Sequence, residues 1–442
     1  MIAIVLTIVA AVFLPLVYFL MLKPILGWIS DLRRGPSSPV RAPLPDHKDD
    51  VVPQARFQLE SLREHDPNFS LVLFEDFLCA LYVQAYTLRG GGALQRLSAY
   101  LKPDAQDELV DMGQVAAVKE IIVGAMRLVS ATSFGDASDK IRVEVEFESN
   151  YTEVGPEKAA QGYYSRETWR LTRAKNVLSR TPDRIQTFAC PSCKAPLDTM
   201  EGGTCKYCGS AVNTGAFDWV VESIADIERE TRPPVLTSNT EEEGTNLPTV
   251  IAPDLQARRA ALTERDPQFS WPSLQTRVAA IFTQMQVAWA NRDLRPVRPF
   301  ISDNLFHNLS YWTEAYKKAG LRNVTEGAQI DRIELARITS DRFFDAVTAR
   351  VHAHSTDFTV ADGTDQIVSG NRTSIRSYTE YWTLIRGAQR KGGIRPVDKC
   401  PACGAPLKIE MAGTCAYCTA KITSGEFDWV LSRIEQDETY RG

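Results

Sequence analysis

Four cysteines in the spacing Cys-x2-Cys-x11-Cys-x2-Cys occur twice in this 442-residue chain. The first set is Cys190, Cys193, Cys205 and Cys208 in "CPSCKAPLDTMEGGTCKYC"; the second is Cys400, Cys403, Cys415 and Cys418 in "CPACGAPLKIEMAGTCAYC". Two closely spaced pairs can bring four thiolates to one point, the ligand set of a tetrahedral zinc site. Four thiolates fill the tetrahedron and leave no position for water, so the expected role of each ion is structural: two Zn2+ per chain, shaping loops and performing no reaction. A disulfide framework is the competing use of such cysteines, but it belongs to small secreted domains rather than to a chain of this length. Apparent zinc binding energies of about 10 to 16 kcal/mol exceed what so short a segment gains from its own core, so each loop should order on its metal. A knuckle favours glycine after its second cysteine because that residue takes positive φ. Gly209 and Gly404 meet this; Lys194 and Thr419, at the matching positions, do not, so both ribbons are expected to close but to differ in stability. Cys79, the ninth cysteine, reads as a small buried hydrophobe.

Other residues offer weaker chemistry. His352 and His354 share one strand face, but no carboxylate or cysteine partner is evident, so a solvated face is expected. "RGGG" at residues 89–92 lacks the preceding strand and the Lys-Ser/Thr of a phosphate loop. Two basic stretches, Arg173, Lys175, Arg180 and Arg184 in one and Arg386, Arg390, Lys391, Arg395 and Lys399 in the other, could meet lipid headgroups or RNA phosphates, with a solvated loop as the plainer alternative. No zincin helix, Walker loop, nucleophile elbow or paired-carboxylate arrangement is present, which argues against an enzyme and predicts no catalytic residues. A net charge of −5 gives no overall basic footprint, so nucleic acid is not an expected partner.

The elements that must position the cysteines fall into a simple order. Residues 1–22 carry no charge and would span about 33 Å as a helix, enough for a bilayer core. With Trp28 and Lys23 as interfacial residues, 1–29 reads as a single-pass transmembrane helix in contact with the bilayer. Lys23, Arg33, Arg34 and Arg41 follow the span, which places the amino terminus outside and the body in the cytoplasm, where thiols also stay reduced. Residues 30–53 form a proline-rich tether, and residues 231–253 a solvated linker between two similar halves, 54–230 and 254–442. "HDPNFS" at residues 65–70 answers "RDPQFS" at 265–270, and the cysteine clusters recur 210 positions apart. Each half begins with helices, striped by Phe74, Phe77, Leu78, Leu81 and Ala85 or by Leu274, Val278, Ile281, Phe282, Met285 and Trp289. Ser302 is an expected N-cap. The period then changes to two: Ile141, Val143, Val145 and Phe147 in one half, and Val347, Ala349, Val351 and Ala353 in the other, predict sheets with one wet face. Each cysteine module, 188–212 and 398–422, lies between two strands in place of a hairpin turn, the closing strands reading Phe217, Trp219, Val221 and Phe427, Trp429, Leu431.

The second half resembles the Tim44-like domain, the family of the membrane-tethering subunit of the mitochondrial import motor. Phe269, Phe282, Trp289, Leu294 and Phe300 match its helical part; Trp382 and Arg386 match its Trp-x-x-x-Arg strand, and Asp428 and Trp429 its final strand. Residues 255–435 are the better match, while 56–227 depart through "RGGGALQRLSAY" and a shorter helical region. The resemblance implies an α+β fold of two tandem cone-shaped domains, helices on a curved antiparallel sheet, each with an inserted four-cysteine zinc ribbon. It further implies a non-catalytic membrane-anchored scaffold or adaptor that binds an integral or membrane-associated protein complex, with anionic lipid as a possible contact and a bacterial inner membrane as its location. The basic chaperone-binding region of the mitochondrial protein has no counterpart here. A small-ligand binder or enzyme using the cone, or a ribosome-contacting membrane protein, stands as the alternative.

Overall fold

The computed structural model of the chain describes residues 54–132, 137–157, 159–182, 188–236, 242, 244–394 and 398–442. The expected membrane helix and tether, 1–29 and 30–53, lie outside the described residues, as do Arg184 and Arg395. Pro53–Gly442 form one compact unit.

The first half runs α1 (Gln54–Ser61), α2 (Leu71–Arg89), α3 (Pro103–Asp111), β1 (Ala117–Ala131), β2 (Lys140–Val154), β3 (Ala160–Ala174), the short ribbon strands β4 (Met200–Glu201) and β5 (Thr204–Cys205), and β6 (Val220–Thr231). The second runs α4 (Leu255–Arg265), α5 (Trp271–Ala290), α6 (Asp303–Lys318), β7 (Leu321–Ser340), β8 (Phe344–Ala361), β9 (Ile367–Gly387) and β10 (Val430–Gln436). Two four-stranded antiparallel sheets result, ordered β1-β2-β3-β6 and β7-β8-β9-β10. β1 on β2 and β7 on β8 each contain three register shifts, which add local twist and bend the strands.

Local chemistry sets the helix starts. Ser70, Ser270 and Ser302 accept hydrogen bonds from the amides of Leu73, Ser273 and Leu305, satisfying N-terminal donors the helices cannot bond themselves. α2 is long and apolar enough to cross a membrane, yet Leu78, Leu81, Tyr82, Ala85 and Tyr86 on it are completely buried against the sheet, the mark of a core helix. The second helical region of the first half is indeed the shorter, nine residues in α3 against sixteen in α6.

Alternation holds strictly along β2, where Ile141, Val143, Val145 and Phe147 are buried. Along β8 both faces are covered, contrary to the expectation of one wet face: Thr348, Arg350 and His352 are buried as well as Val347, Ala349 and Val351. The covering comes from the supposed linker and from the carboxyl end. Arg350 donates to the carbonyls of Gly244 and Leu247, the amide of Val250 donates to the Tyr381 hydroxyl, and Ala252 donates to the Ala336 carbonyl. Asp437 pairs with Arg350 at 2.8 Å, and Tyr440 stacks on Tyr381 at 3.8 Å. Gly244 has φ +83°, and a Cβ there would meet Asp437 at 2.6 Å, so the strap fits only with glycine. Residues 244–252 are therefore a strap on the second sheet rather than a solvated linker.

The two halves are joined by buried ion pairs. Arg56 reaches Glu75 at 3.2 Å and Glu435 at 2.8 Å, and Arg433 pairs with the same two glutamates. Arg337 donates to Glu60 at 2.6 Å, and Asn304 to Asp76 at 2.6 Å. Arg56 with Glu435, Arg433 with Glu75, Arg337 with Glu60 and Asn304 with Asp76 cross between the halves and fix one against the other.

Candidate metal centres

Each cysteine module connects two paired strands, β3 with β6 and β9 with β10. Within it, four turns repeat one hydrogen-bond pattern. The amides of Lys194, Gly209, Gly404 and Thr419 donate to the carbonyls of Cys190, Cys205, Cys400 and Cys415 at 2.8 to 2.9 Å, and each of those cysteine amides is bonded across the turn in turn. All four turn residues take positive φ: Lys194 +67°, Gly209 +70°, Gly404 +75° and Thr419 +59°. Both ribbons close, Lys194 and Thr419 taking the same turn as the two glycines. The sulfur geometry imposes the turn, and the side chains there accept backbone strain.

The four sulfurs of each set lie within 4.8 Å of one another. Cys190 and Cys208 are 3.9 Å apart, Cys193 and Cys205 3.8 Å, and Cys400 and Cys418 3.8 Å. A tetrahedron with bonds of about 2.3 Å has edges of about 3.8 Å, so the spacing fits a metal ion at the centre and is far from a disulfide. All nine cysteines are free. Amides of Cys193 and Tyr417 approach the sulfurs of Cys190 and Cys415. The hydroxyl and amide of Ser210 hold the Cys208 thiol down to about 6, and the amides of Tyr417 and Cys418 hold Cys415 to about 7, while in the same two sets Cys193 and Cys418 are pushed up to about 12.

The closing segments begin as turns and only then become strands. β6 starts at Val220 and β10 at Val430, and Phe217 is exposed. Asp218 and Asp428 each accept from the next amide, Trp219 or Trp429, at 2.8 Å, which competes with the ladder and displaces the expected alternation. Those tryptophans anchor a node present in both halves. Arg173 lies over Trp219 at 4.9 Å and pairs with Asp66 at 3.0 Å; Arg386 lies over Trp429 at 4.6 Å and pairs with Asp266 at 2.9 Å. Asp66 and Asp266 come from the repeated Asp-Pro-x-Phe-Ser segments. The node was visible in the sequence only as recurring residue types.

Other sequence candidates are placed differently from expectation. His352 Nε2 is 2.7 Å from Glu334 and His354 Nδ1 is 2.8 Å from Asp331, both carboxylates on the neighbouring strand β7. Arg89 of the "RGGG" segment is buried, bonding Glu153 and the carbonyls of Leu109 and Gly113. In the basic stretches Arg173 and Arg386 are buried in ion pairs, Arg180 pairs with Asp218, and Arg390 donates to the carbonyls of Phe427 and Gly393. Cys79 is half-buried beside Met126, its thiol pushed up to about 12 by burial. Glu167, a buried acid two residues before Trp169, went unnoticed; it accepts from Trp169, Ser165, Tyr82 and Tyr86, and burial raises its pKa. Glu380 stands likewise before Trp382 and accepts from its indole at 2.9 Å. The Glu-x-Trp recurrence was the signal available. Around Glu167 the interior of the first half is filled by Tyr82, Tyr86, Phe147, Tyr151 and Trp169, each at or below 1% exposure.

No curated protein matches the chain. A family model described as the Tim44-like domain matches residues 256–393, from α4 through β9 and stopping short of the second cysteine cluster. The chain carries a Tim44-like domain in its second half, built on β7-β8-β9 and the helices that precede them.

Proposed function

We propose that the protein is a membrane-anchored, non-catalytic scaffold, held by residues 1–29 in a bacterial inner membrane with its body in the cytoplasm. Two cone-shaped domains, each stapled by one structural Zn2+, present docking surfaces to a membrane protein complex. The metal ligands are Cys190, Cys193, Cys205 and Cys208 in the first ribbon and Cys400, Cys403, Cys415 and Cys418 in the second; the ion supplies a crosslink, since its four positions are taken.

The observation that carries this reading is the pair of ribbon tips. Tyr207 and Tyr417 occupy the same place in the two second knuckles and are 80% and 61% exposed, while the body behind them is locked by the buried ion pairs around Arg56. Large aromatic side chains held out on rigid mounts suit recognition of another protein. Consumption of Arg173, Arg386 and Arg390 in internal contacts weighs against an RNA-contacting role.

The test is in-cell crosslinking followed by purification in mild detergent and mass spectrometry, comparing the wild-type chain with Tyr207→Ala/Tyr417→Ala. Partner recovery that falls in the variant supports the scaffold; recovery of no protein, or of the same proteins from the variant, overturns it. Metal analysis of the same sample should give two zinc ions per chain.

A further inference from the structure

Two of the elements that reach from the second half to the first are fastened at the second ribbon. α6 is one. Asp303, its first residue, accepts from Thr423 at 3.0 Å and pairs with Lys421, both at the ribbon's end. The next residue, Asn304, donates to Asp76 on α2 at 2.6 Å; one turn on, Asn308 donates to the Val123 carbonyl on the edge strand β1 at 3.0 Å, and near the helix end Lys318 pairs with Glu120 of β1. β10 is the other. It starts at Val430, straight after the turn at Asp428 and Trp429 that closes the ribbon, and carries Arg433 and Glu435 to Glu75 and Arg56.

The two elements share one joint. The Ser302 amide donates to the Leu431 carbonyl at 2.9 Å and its hydroxyl to the Ser432 carbonyl at 3.2 Å, so the start of α6 is tied to the start of β10. A ribbon of this length orders on its metal. Without it, Asp303 loses Thr423 and Lys421 and β10 loses its fixed entry, and element ends are where local opening begins. The first ribbon stands differently: β6, the strand that follows it, sets Glu222 against Lys102 and Arg229 against Glu153, all within the first half.

We propose that the second metal site is a latch on the junction between the halves: an ion in that ribbon holds α6 and β10 at their starts, and its loss loosens the first half from the second without unfolding either. The Arg337–Glu60 pair involves neither element and keeps the halves together when the latch is open. Linkage makes the control reciprocal, because whatever the ion adds to the junction the intact junction adds, by the same factor, to the hold on the ion. The latch rests on the ribbons binding metal and needs neither a protein partner nor a membrane.

Two measurements on the full chain in mild detergent test it. Amide exchange would compare the zinc-loaded wild type with Cys415→Ser, which keeps the first site. Exchange in the first turn of α6 and at the β1 edge around Ile121 and Val123 should rise about fivefold more than in the interior strands β2 and β8. The reverse measurement uses Asn304→Ala/Asn308→Ala, which loosens the grip of α6 on the first half at a distance from the cysteines. A chelator should then empty the second site about fivefold more readily, with the first unchanged. Alkylation of Cys403 against Cys208, an exposed cysteine in each ribbon, reports which site has emptied. Should Cys415→Ser fail to fold, the reverse measurement decides alone. Exchange that rises only within the ribbon, zinc retention unchanged in the asparagine variant, or equal loss from both sites overturns the latch. A wild-type chain with no zinc in its second ribbon would overturn the latch and the metal reading together.

Discussion

The first ribbon is part of its domain's core, and the second is not. Cys190, Ala195, Leu197, Met200, Cys205 and Val212 join one continuous cluster with Phe74, Phe77, Tyr100 and Trp219. In the second half Cys400, Cys415 and Ile422 form a small cluster of their own with Leu407, Ile409 and Phe427. What ties that ribbon down is polar: Arg298 donates to the Met411 carbonyl at 3.0 Å and pairs with Asp303, which also binds Thr423 and Lys421. Identical cysteine spacing has thus produced an apolar mount in one copy and an ionic mount in the other. The difference teaches that the thiolate quartet specifies the ribbon, while the surface beneath it decides whether ribbon and domain act as one cooperative unit.

Removing one metal at a time is the strongest way to break this comparison. Cys205→Ser should cost the first half about 5 kcal/mol or more, because losing the ribbon uncovers Leu197, Met200 and Val212 and the aromatic cluster beneath them. Cys415→Ser should melt its ribbon while lowering the stability of the remaining chain by less than about 2 kcal/mol. Zinc content and amide exchange measured on both variants would decide. Equal loss of protection across the two halves would show that the mounts are energetically alike.

The Asp–Arg–Trp node sharpens the same contrast at smaller scale. Among the described residues Asp66 is the sole carboxylate paired with Arg173, whereas Arg386 has both Asp266 and, at 3.4 Å, Asp345. Breaking a buried pair strands a charge and costs about 3 to 5 kcal/mol, so Asp66→Ala should fall in that range and Asp266→Ala at roughly half of it. Denaturant midpoints of the two variants provide the check; a larger effect at Asp266 would contradict the cushioning by Asp345.

How much of this was legible beforehand follows from what each feature depends on. The cysteine sites were readable because ligand identity and spacing are local, and the strand alternation of β2 because a half-buried sheet writes its period into the chain. β8 misled because Thr348, Arg350 and His352 look like a wet face until a strap from residues 244–252 and a tail through Tyr440 cover them, and no local period reports a long-range cover. The carboxylate partners of His352 and His354 were missed for the same reason, since pairing with Glu334 and Asp331 depends on strand register. Arg277, buried on α5 and paired with Asp428 at 3.0 Å, was open to detection, because it stands at the position where α2 has Phe77.

The cover over the second sheet is also sensitive to pH. Burial raises Glu242 to about 7 in spite of Arg376, and Asp437 to about 6 in spite of Arg350, from ordinary values of 4.5 and 3.8. A carboxyl with a raised folded-state pKa stabilises the fold when protonated, so this contribution is complete below about pH 4 and is lost as pH rises through 6 to 7. Amide exchange at Leu247 and Val250 should therefore quicken between about pH 5 and 7.5 beyond the intrinsic chemical trend, and Glu242→Gln should flatten that dependence. An unchanged slope in the variant would place the titration elsewhere.

The smallest expected effect concerns the knuckles themselves. Thr419 and Lys194 both hold φ near +60°, where an L residue is strained by about 1 to 2 kcal/mol and a β-branched side chain suffers most. Glycine at either place relieves the strain but also frees the metal-free loop, and that entropy cancels part of the gain. Thr419→Gly should therefore stabilise the second ribbon by about 1 kcal/mol, seen as a roughly fivefold tighter hold on zinc in competition with a chelator. Lys194→Gly should give less, because lysine is not branched at Cβ and the first ribbon is already fastened by its apolar mount. If the lysine substitution gained more than the threonine one, backbone strain at these turns would not be what limits zinc retention, and the difference between the ribbons would have to lie wholly in the surfaces that carry them.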